Sequence, residues 1–143
     1  MKNKMLAIYG TGGLGREFLD TANNINTVSN LWSDIVFIND YENGGEILGA
    51  KVLSFESIIK SKDTCEIVIA IGEPSLREQL FDKAKSNGLK IATLIDTTAR
   101  ASPSAIIGEG SILFVYFSIH CNVNIGKNCL VQQYNLLGHD ILI

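Results

Sequence analysis

Residues 107–143 read IGEGSILFVYFSIHCNVNIGKNCLVQQYNLLGHDILI, and an aliphatic side chain returns at every sixth position: Ile107, Leu113, Ile119, Ile125, Val131, Leu137 and Ile143. Period six matches neither the helical repeat nor the simple alternation of a strand. It does match a coil with three flat faces per turn, one hexad to a face, whose recurring side chain points inward and stacks on its equivalent one turn away. The register extends back through Ala101 to Ile95. The position two before each anchor is small at Ala99, Ala105, Ser111, Cys129 and Asn135, with Phe117, Val123 and Ile141 as exceptions. Ile107-Gly108, Ile125-Gly126 and Leu137-Gly138 put a glycine after an anchor, which predicts corners with positive φ at those glycines. Residues 95–143 are therefore expected to wind into a β-helix prism. The competing reading, ordinary half-buried strands, is weakened by seven anchors at one fixed spacing.

Upstream, short β-branched runs alternate with helical segments, the pattern of a parallel sheet built from βαβ units. Strands are expected at Met5–Tyr9, Ile35–Asn39, Glu66–Ile71 and Lys90–Ile95, with a polar loop at residues 40–45. Helices are expected through Phe18, Leu19, Ala22 and Ile25, around Phe55–Lys60, and from Pro74 to a stop at Asn87-Gly88. The apolar face of that last helix is read as Leu76, Leu80, Phe81 and Ala84. Residues 1–94 thus form a Rossmann-like α/β domain, with the boundary between Leu94 and Ser102-Pro103.

Of the 143 residues, 46% are hydrophobic and 19% charged, which is the balance of a folded protein holding one domain or a small domain with part of another. A net charge of −3, with twelve scattered Lys and Arg, offers no footprint for nucleic acid. No apolar run approaches the ~20 residues that cross a bilayer. The Met1-Lys2-Asn3-Lys4 start leads into only a short apolar stretch, so no membrane segment is expected and the protein is read as cytoplasmic. Cys65, Cys121 and Cys129 are odd in number and sit in apolar segments, which predicts packed, reduced thiols.

The turn Gly10-Thr11-Gly12-Gly13-Leu14-Gly15 contains G-x-G-x-x-G directly after a strand and directly before a helix. Gly10 allows the tight turn, Gly12 lets a phosphate approach the backbone, and Gly15 lets helix pack on strand, while the helix start offers free N–H groups to an anion. A bare βα turn without ligand is the alternative. Asp40, 25 residues beyond Gly15, sits near the place of the ribose-binding acid of an NAD enzyme. Against NAD stand the short sheet and a following β-helix with no evident hydride chemistry. One mononucleotide half-site favours a nucleotide or nucleotide sugar. Gly72, at the exit of the third expected strand, is a further contact, unless it serves only the bend into the next helix.

His139 follows Gly138 at a corner and precedes Asp140. A neutral imidazole with a carboxylate fixing its tautomer is a general base. Sequence neighbours on an extended strand point to opposite faces, so the pair needs corner geometry or an acid from another subunit to act. Simple solvation is the plain alternative. His120, outward and without an acid nearby, reads as a surface residue.

With both halves located, the chain resembles the bacterial hexapeptide-repeat, left-handed β-helix sugar acetyltransferases, in particular the sialic acid O-acetyltransferases and the enzymes that N-acetylate UDP-linked 4-amino sugars. The likeness runs the whole length. It is carried by residues 8–15, Phe37-Ile38-Asn39-Asp40, Ala70-Ile71-Gly72-Glu73 with Leu76-Arg77, Ser102-Pro103-Ser104-Ala105, Ile107-Gly108-Glu109-Gly110, Ile125-Gly126-Lys127-Asn128-Cys129 and Gly138-His139-Asp140. The resemblance implies that Gly10, Gly12, Gly13, Asn39, Asp40 and Gly72 hold a nucleotide sugar. It implies that His139, assisted by Asp140, deprotonates a sugar amine or hydroxyl that attacks acetyl-CoA, with no metal, in a homotrimer whose sites lie between neighbouring prisms. Two departures stand out. Leu14 occupies a place where a polar residue is common in the family, and the coils from Ile95 to Ile143 fall short of the family's full stack, so the β-helix is expected to be incomplete. A truncated relative that binds a nucleotide sugar without turnover is the second reading, and an NAD-dependent oxidoreductase the third.

Overall fold

The computed structural model describes residues 4–143, so Met1-Lys2-Asn3 of the start read above lie outside the described residues. The chain opens with β1 (Met5–Tyr9), α1 (Gly13–Ser29), β2 (Asp34–Ile38), β3 (Glu46–Ile47) and β4 (Ala50–Leu53). It continues through α2 (Phe55–Ile59), a 3-10 turn at Lys62–Thr64, β5 (Cys65–Ile69), α3 (Pro74–Ser86) and β6 (Lys90–Ile91). The strands form one sheet in the order β3-β4-β2-β1-β5-β6, parallel apart from the β3–β4 pair. Strands buried on both faces read as continuous apolar runs, as Leu6-Ala7-Ile8 and Val36-Phe37-Ile38 do.

α1 buries Phe18, Leu19, Ala22 and Ile25 against one face of the sheet, and α2 and α3 cover the other with Phe55, Ile58, Phe81 and Ala84. α1 stops where Asn30 turns left-handed at φ 49° and its N–H returns to the Asn26 carbonyl. α3 starts on Pro74, and the Glu73 carboxylate accepts the Ser75 and Leu76 amides that the helix leaves free.

Two readings of this half need correction. The short strand β4 escapes the pattern because four residues between Gly49 and the capping Ser54 leave no room for clear alternation. The expected strand Lys90–Ile95 divides in two. Ala92 still donates to Ile67 O at 2.8 Å, whereas Leu94 donates to Ser111 O at 3.1 Å, so the chain leaves the sheet between them.

From there it winds into the expected left-handed parallel β-helix. The two-residue strands β7 (Leu94–Ile95), β8 (Arg100–Ala101), β9 (Ile106–Ile107), β10 (Ile112–Leu113), β11 (Ser118–Ile119), β12 (Asn124–Ile125), β13 (Leu130–Val131) and β14 (Leu136–Leu137) follow. They stack as β7-β10-β13, β8-β11-β14 and β9-β12 in parallel register, Ile95 on Leu113 on Val131. The interior holds Leu113, Phe117, Ile119, Val123 and Ile125, with Ala99, Ala105, Cys129 and Ile141 partly covered beside them. Phe117 and Val123 therefore keep the inward rule with larger bulk. Ser111 is fully buried because its hydroxyl bridges coils, donating to Gly126 O at 2.8 Å and accepting from Cys129 N.

The corners overturn the glycine reading. Positive φ falls three residues beyond each anchor from Ile107 to Leu137, at Gly110, Tyr116, Asn122, Asn128, Tyr134 and Asp140, and not at Gly108, Gly126 or Gly138. Gly108 is required for a different reason: a Cβ there would lie 2.3 Å from the Gly126 carbonyl of the next coil. The prism docks its β7-β10 face on α1, where Leu94, Ile112 and Phe114 join Phe18 and Leu19 in one core. Its Asn128 corner is held by Arg77, whose Nε donates to Asn128 O at 3.1 Å, and by Lys85, paired with Glu109 at 2.9 Å.

Candidate functional site

The sheet order reverses between β1 and β5, since α1 carries the chain from β1 to β2 on one side and α2 leads back to β5 on the other. Ligands of such sheets collect outside the carboxyl ends of the strands at that reversal. A cleft of about 350 Å³ lies there, lined by Tyr9, Gly10 and Thr11 at the end of β1, Ile38 to Tyr41 at the end of β2, Ile71 after β5, and Leu76, Leu80 and Lys83 of α3. Gly10 has φ 124° and a Cβ on it would lie 2.6 Å from Ala70 O, while a Cβ on Gly15 would fall 2.0 Å from Gly10 O. Those two glycines make the turn possible. Gly12 and Gly13 have open space where a Cβ would lie, and Gly12 caps α1 without a side chain, so no capping side chain claims the amides of the first turn.

Asn39 ties the site together. Its Nδ2 donates to Thr11 Oγ1 at 3.0 Å, and its Oδ1 accepts from the Tyr41 and Glu42 amides. Asp40 accepts the Tyr9 hydroxyl at 2.5 Å and the Phe55 amide at 2.9 Å, with Lys83 Nζ at 3.6 Å. Burial pushes its carboxyl up, but the Tyr9 and Phe55 hydrogen bonds and the Lys83 charge outweigh this and leave it below the usual range. The Tyr9 hydroxyl is pushed the other way, first by burial and then by Asp40.

Of the residues expected on substrate, Gly10, Asn39 and Asp40 line the cleft; Gly12 and Gly13 sit beside it at the α1 start. Gly72 is exposed outside the lining, and its carbonyl accepts from Arg77. Tyr9, Lys83 and Tyr41 were not read from the sequence. One signal existed for Lys83: with Leu76 and Leu80 it follows the i, i+4, i+7 spacing of one helix face. Leu76, expected in the buried face of α3, is 42% exposed and forms the cleft wall instead.

His139 and Asp140 meet at a prism corner. His139 Nδ1 lies 2.6 Å from Asp140 Oδ2, and both side chains face solvent. The corner solves the problem of adjacent residues pointing apart, because Asp140 takes φ 59°, a conformation that short polar Asp tolerates. Asn122, one coil below, donates to Asp140 Oδ1 at 3.0 Å. The His139 and Asn122 hydrogen bonds hold the Asp140 carboxyl below its ordinary range. With Nδ1–H engaged by the carboxylate, Nε2 is the nitrogen left to take a proton. Beside this corner, on the β8-β11 face, Arg100, Ser102, Ser118, His120 and Cys121 line an open groove of about 570 Å³. Cys121 is exposed, against the expectation of a packed thiol, because it belongs to the corner and not to an inward position. His120 is exposed, as read.

Among the described residues, no helix is long and apolar enough to cross a membrane. The family described as the PglD N-terminal domain matches residues 5–84. GDP-perosamine N-acetyltransferase of Escherichia coli O157:H7 is 25% identical over 142 residues, covering 97% of this chain and 64% of that protein. The chain thus spans about two-thirds of the length of this curated relative. The acetyltransferase domain of PglB from Neisseria gonorrhoeae FA1090, solved in complex with acetyl coenzyme A, superposes with a TM-score of 0.88 at 28% identity, over 98% of this chain and 67% of that one. PerB of Caulobacter crescentus, solved with CoA and GDP-perosamine, shares the fold at 22% identity and a TM-score of 0.80, over 96% of this chain and 64% of that one.

Proposed function

The chain belongs to the PglD N-terminal domain family, and on that premise we propose that it serves an acetyltransferase that moves an acetyl group from acetyl-CoA to a nucleotide-activated, UDP-linked amino sugar. The observation that carries this reading is the His139–Asp140 pair, 2.6 Å apart on a β-helix corner, in a chain that also holds a nucleotide-sized cleft. The cleft takes the nucleotide. Gly10, Asn39 and Asp40 shape it, and the free amides at Gly12 and Gly13 meet the phosphates.

The reaction needs little from the protein beyond orientation and one base. The sugar amine attacks the thioester carbonyl of acetyl-CoA, His139 Nε2 takes the amine proton as the C–N bond forms, and the C–S bond breaks to release CoA as its thiol. Asp140 keeps Nδ1 protonated and stabilises the imidazolium that results. The proton then passes to the departing sulfur, so the base is regenerated without a metal or a covalent intermediate. On this reading the chain assembles as a homotrimer, with each site between two neighbouring prisms.

The test is transfer of labelled acetyl from acetyl-CoA to a UDP-linked 4-amino sugar, followed by mass spectrometry of the product. A mass gain of one acetyl on the sugar supports the reading. No transfer by protein that binds UDP and acetyl-CoA removes it, and binding of NADH in place of UDP replaces it with a dehydrogenase.

A further inference from the structure

The His139 and Asp140 side chains are 76% and 62% exposed, and a pair of opposite charges standing in water gains little by itself. Forming it also costs the rotamer freedom of both side chains. The coil below supplies the support that the pair lacks. The Asp140 amide donates to Cys121 O at 3.1 Å, which fixes the backbone of the corner. Asn122 Nδ2 donates to Asp140 Oδ1 at 3.0 Å, which fixes the carboxylate with Oδ2 turned to His139 Nδ1. An ionised carboxylate only accepts, so the Asn122 side chain can face it only through its nitrogen. Asn122 is anchored in turn one coil further down, where its backbone amide donates to Ser104 Oγ at 3.1 Å and that hydroxyl lies 3.1 Å from Ser102 Oγ. Ser104, Asn122 and Asp140 thus occupy one place in three successive coils, and this polar column ends on the imidazole.

Backbone conformation alone does not account for the asparagine. Asn122 has φ 57°, which asparagine tolerates, yet Tyr116 and Tyr134 hold φ 53° and 57° at the equivalent turn of another edge of the prism. Asn128, at φ 55° on the third edge, spends its side-chain amide on Arg77 O. Position 122 differs from these in its partner, a carboxylate that is itself bound to an imidazole.

On the reading that His139 is the base for acetyl transfer, we infer that Asn122 is a positioning residue for it: by holding Asp140 in place, its side-chain amide keeps the proton of the neutral imidazole on Nδ1 and leaves Nε2 free to act. Which ring nitrogen carries the proton is set by the hydrogen bond that the other nitrogen, or its own N–H, makes. With the carboxylate held against Nδ1, the proton stays there. Without Asn122 the Asp140 side chain turns freely toward water, and the ring divides between its two neutral forms. One of those presents an N–H where a base is required. Asn122 acts through Asp140 and not on the ring.

Heteronuclear NMR of the full chain, labelled at the histidine nitrogens and held in solution alkaline enough to keep imidazole neutral, reads the tautomer directly. The chain has two histidines, and exposed His120, with no carboxylate partner among the described residues, is the internal reference for an unpaired ring. The wild type is expected to hold His139 predominantly as the Nδ1–H form. Asn122→Gly, which keeps the corner conformation accessible, and Asn122→Asp, which keeps the size and loses the donor, are both expected to move His139 to the mixture seen at His120. In acetyl transfer both variants are expected to lose roughly fivefold to tenfold in kcat with KM unchanged. A tautomer that stays put in both variants overturns the inference, and so does a wild-type His139 that matches His120. A raised KM at unchanged kcat also overturns it, marking Asn122 as a substrate contact. The NMR measurement uses no substrate and so separates the two claims: a tautomer that moves in both variants, in a protein that transfers no acetyl group, supports the hold of Asn122 on the pair and defeats only the reading of His139 as base. Asn122→Gly decides alone if Asn122→Asp fails to fold.

Discussion

Gly108→Ala and Gly138→Ala place the same substitution after two anchors of the same repeat, and the structure assigns them opposite outcomes. A Cβ at Gly108 would sit 2.3 Å from Gly126 O and 2.7 Å from Lys127 N, both backbone atoms of the next coil. Restoring ordinary contact requires the coils to separate by about 1 Å, and the bond that closes this corner, Gly108 N to Ile125 O at 2.8 Å, cannot survive that displacement. An unpaired buried backbone group costs about 1–3 kcal/mol. With some loosening of the Ile107–Ile125 packing the total comes to about 3 kcal/mol, which in a domain of this size lowers the melting temperature by roughly 6–12 °C. Gly138 has no atom within 4 Å of its Cβ position and no positive φ, so alanine there is expected to be neutral or stabilising by up to about 1 kcal/mol through the unfolded chain. Thermal and urea melts of the two variants against the wild type give the answer. Equal destabilisation by both, or a wild-type melt for Gly108→Ala, would refute the account of why these glycines are there.

Phe117→Ala removes the largest side chain of the prism interior, 1% exposed, and is expected to destabilise by about 3–5 kcal/mol in urea titration, against under about 0.5 kcal/mol for Ser118→Ala beside it. A thiol reagent at neutral pH is expected to label Cys121 at once and Cys65 only on unfolding, since burial, followed by the Glu66 charge, pushes the Cys65 thiol up to about 11; peptide mapping of the labelled chain reads the order. Asp40 has a depressed carboxyl in the fold, so its stabilisation is present above the ordinary carboxylate range and lost as pH falls through its folded value. Asp40→Asn is therefore expected to melt below the wild type at neutral pH, with the gap closing toward pH 3, and a gap that widens in acid contradicts the arrangement.

The β-helix was legible because its repeat is enforced by geometry: each anchor stacks on an equivalent, so the period survives in the sequence at Leu113, Ile119 and Ile125 whatever the outward residues do. Its corners were not. Backbone dihedral and close approach both select glycine, and only the coordinates show that Gly108 answers to the second while Tyr116 and Tyr134 occupy the strained positions without it. The sheet announced itself through apolar runs and the glycine turn, yet β4 was hidden by its brevity and the end of β6 by an apolar stretch that continues into a different element. At the site, His139 and Asp140 were readable as a pair, whereas their contact depends on the φ of Asp140. Tyr9 and Lys83, seventy-four positions apart, share a hydrogen bond that no local pattern records.

The central claim is that His139 is the base for acetyl transfer next to a nucleotide held elsewhere in the chain. Acetyl transfer to a UDP-linked 4-amino sugar, measured for the wild type and His139→Ala with UDP affinity determined on the same preparations, tests it most directly. The account predicts that kcat falls by roughly a hundredfold to ten-thousandfold while UDP binding is unchanged. Undiminished turnover in His139→Ala would contradict it.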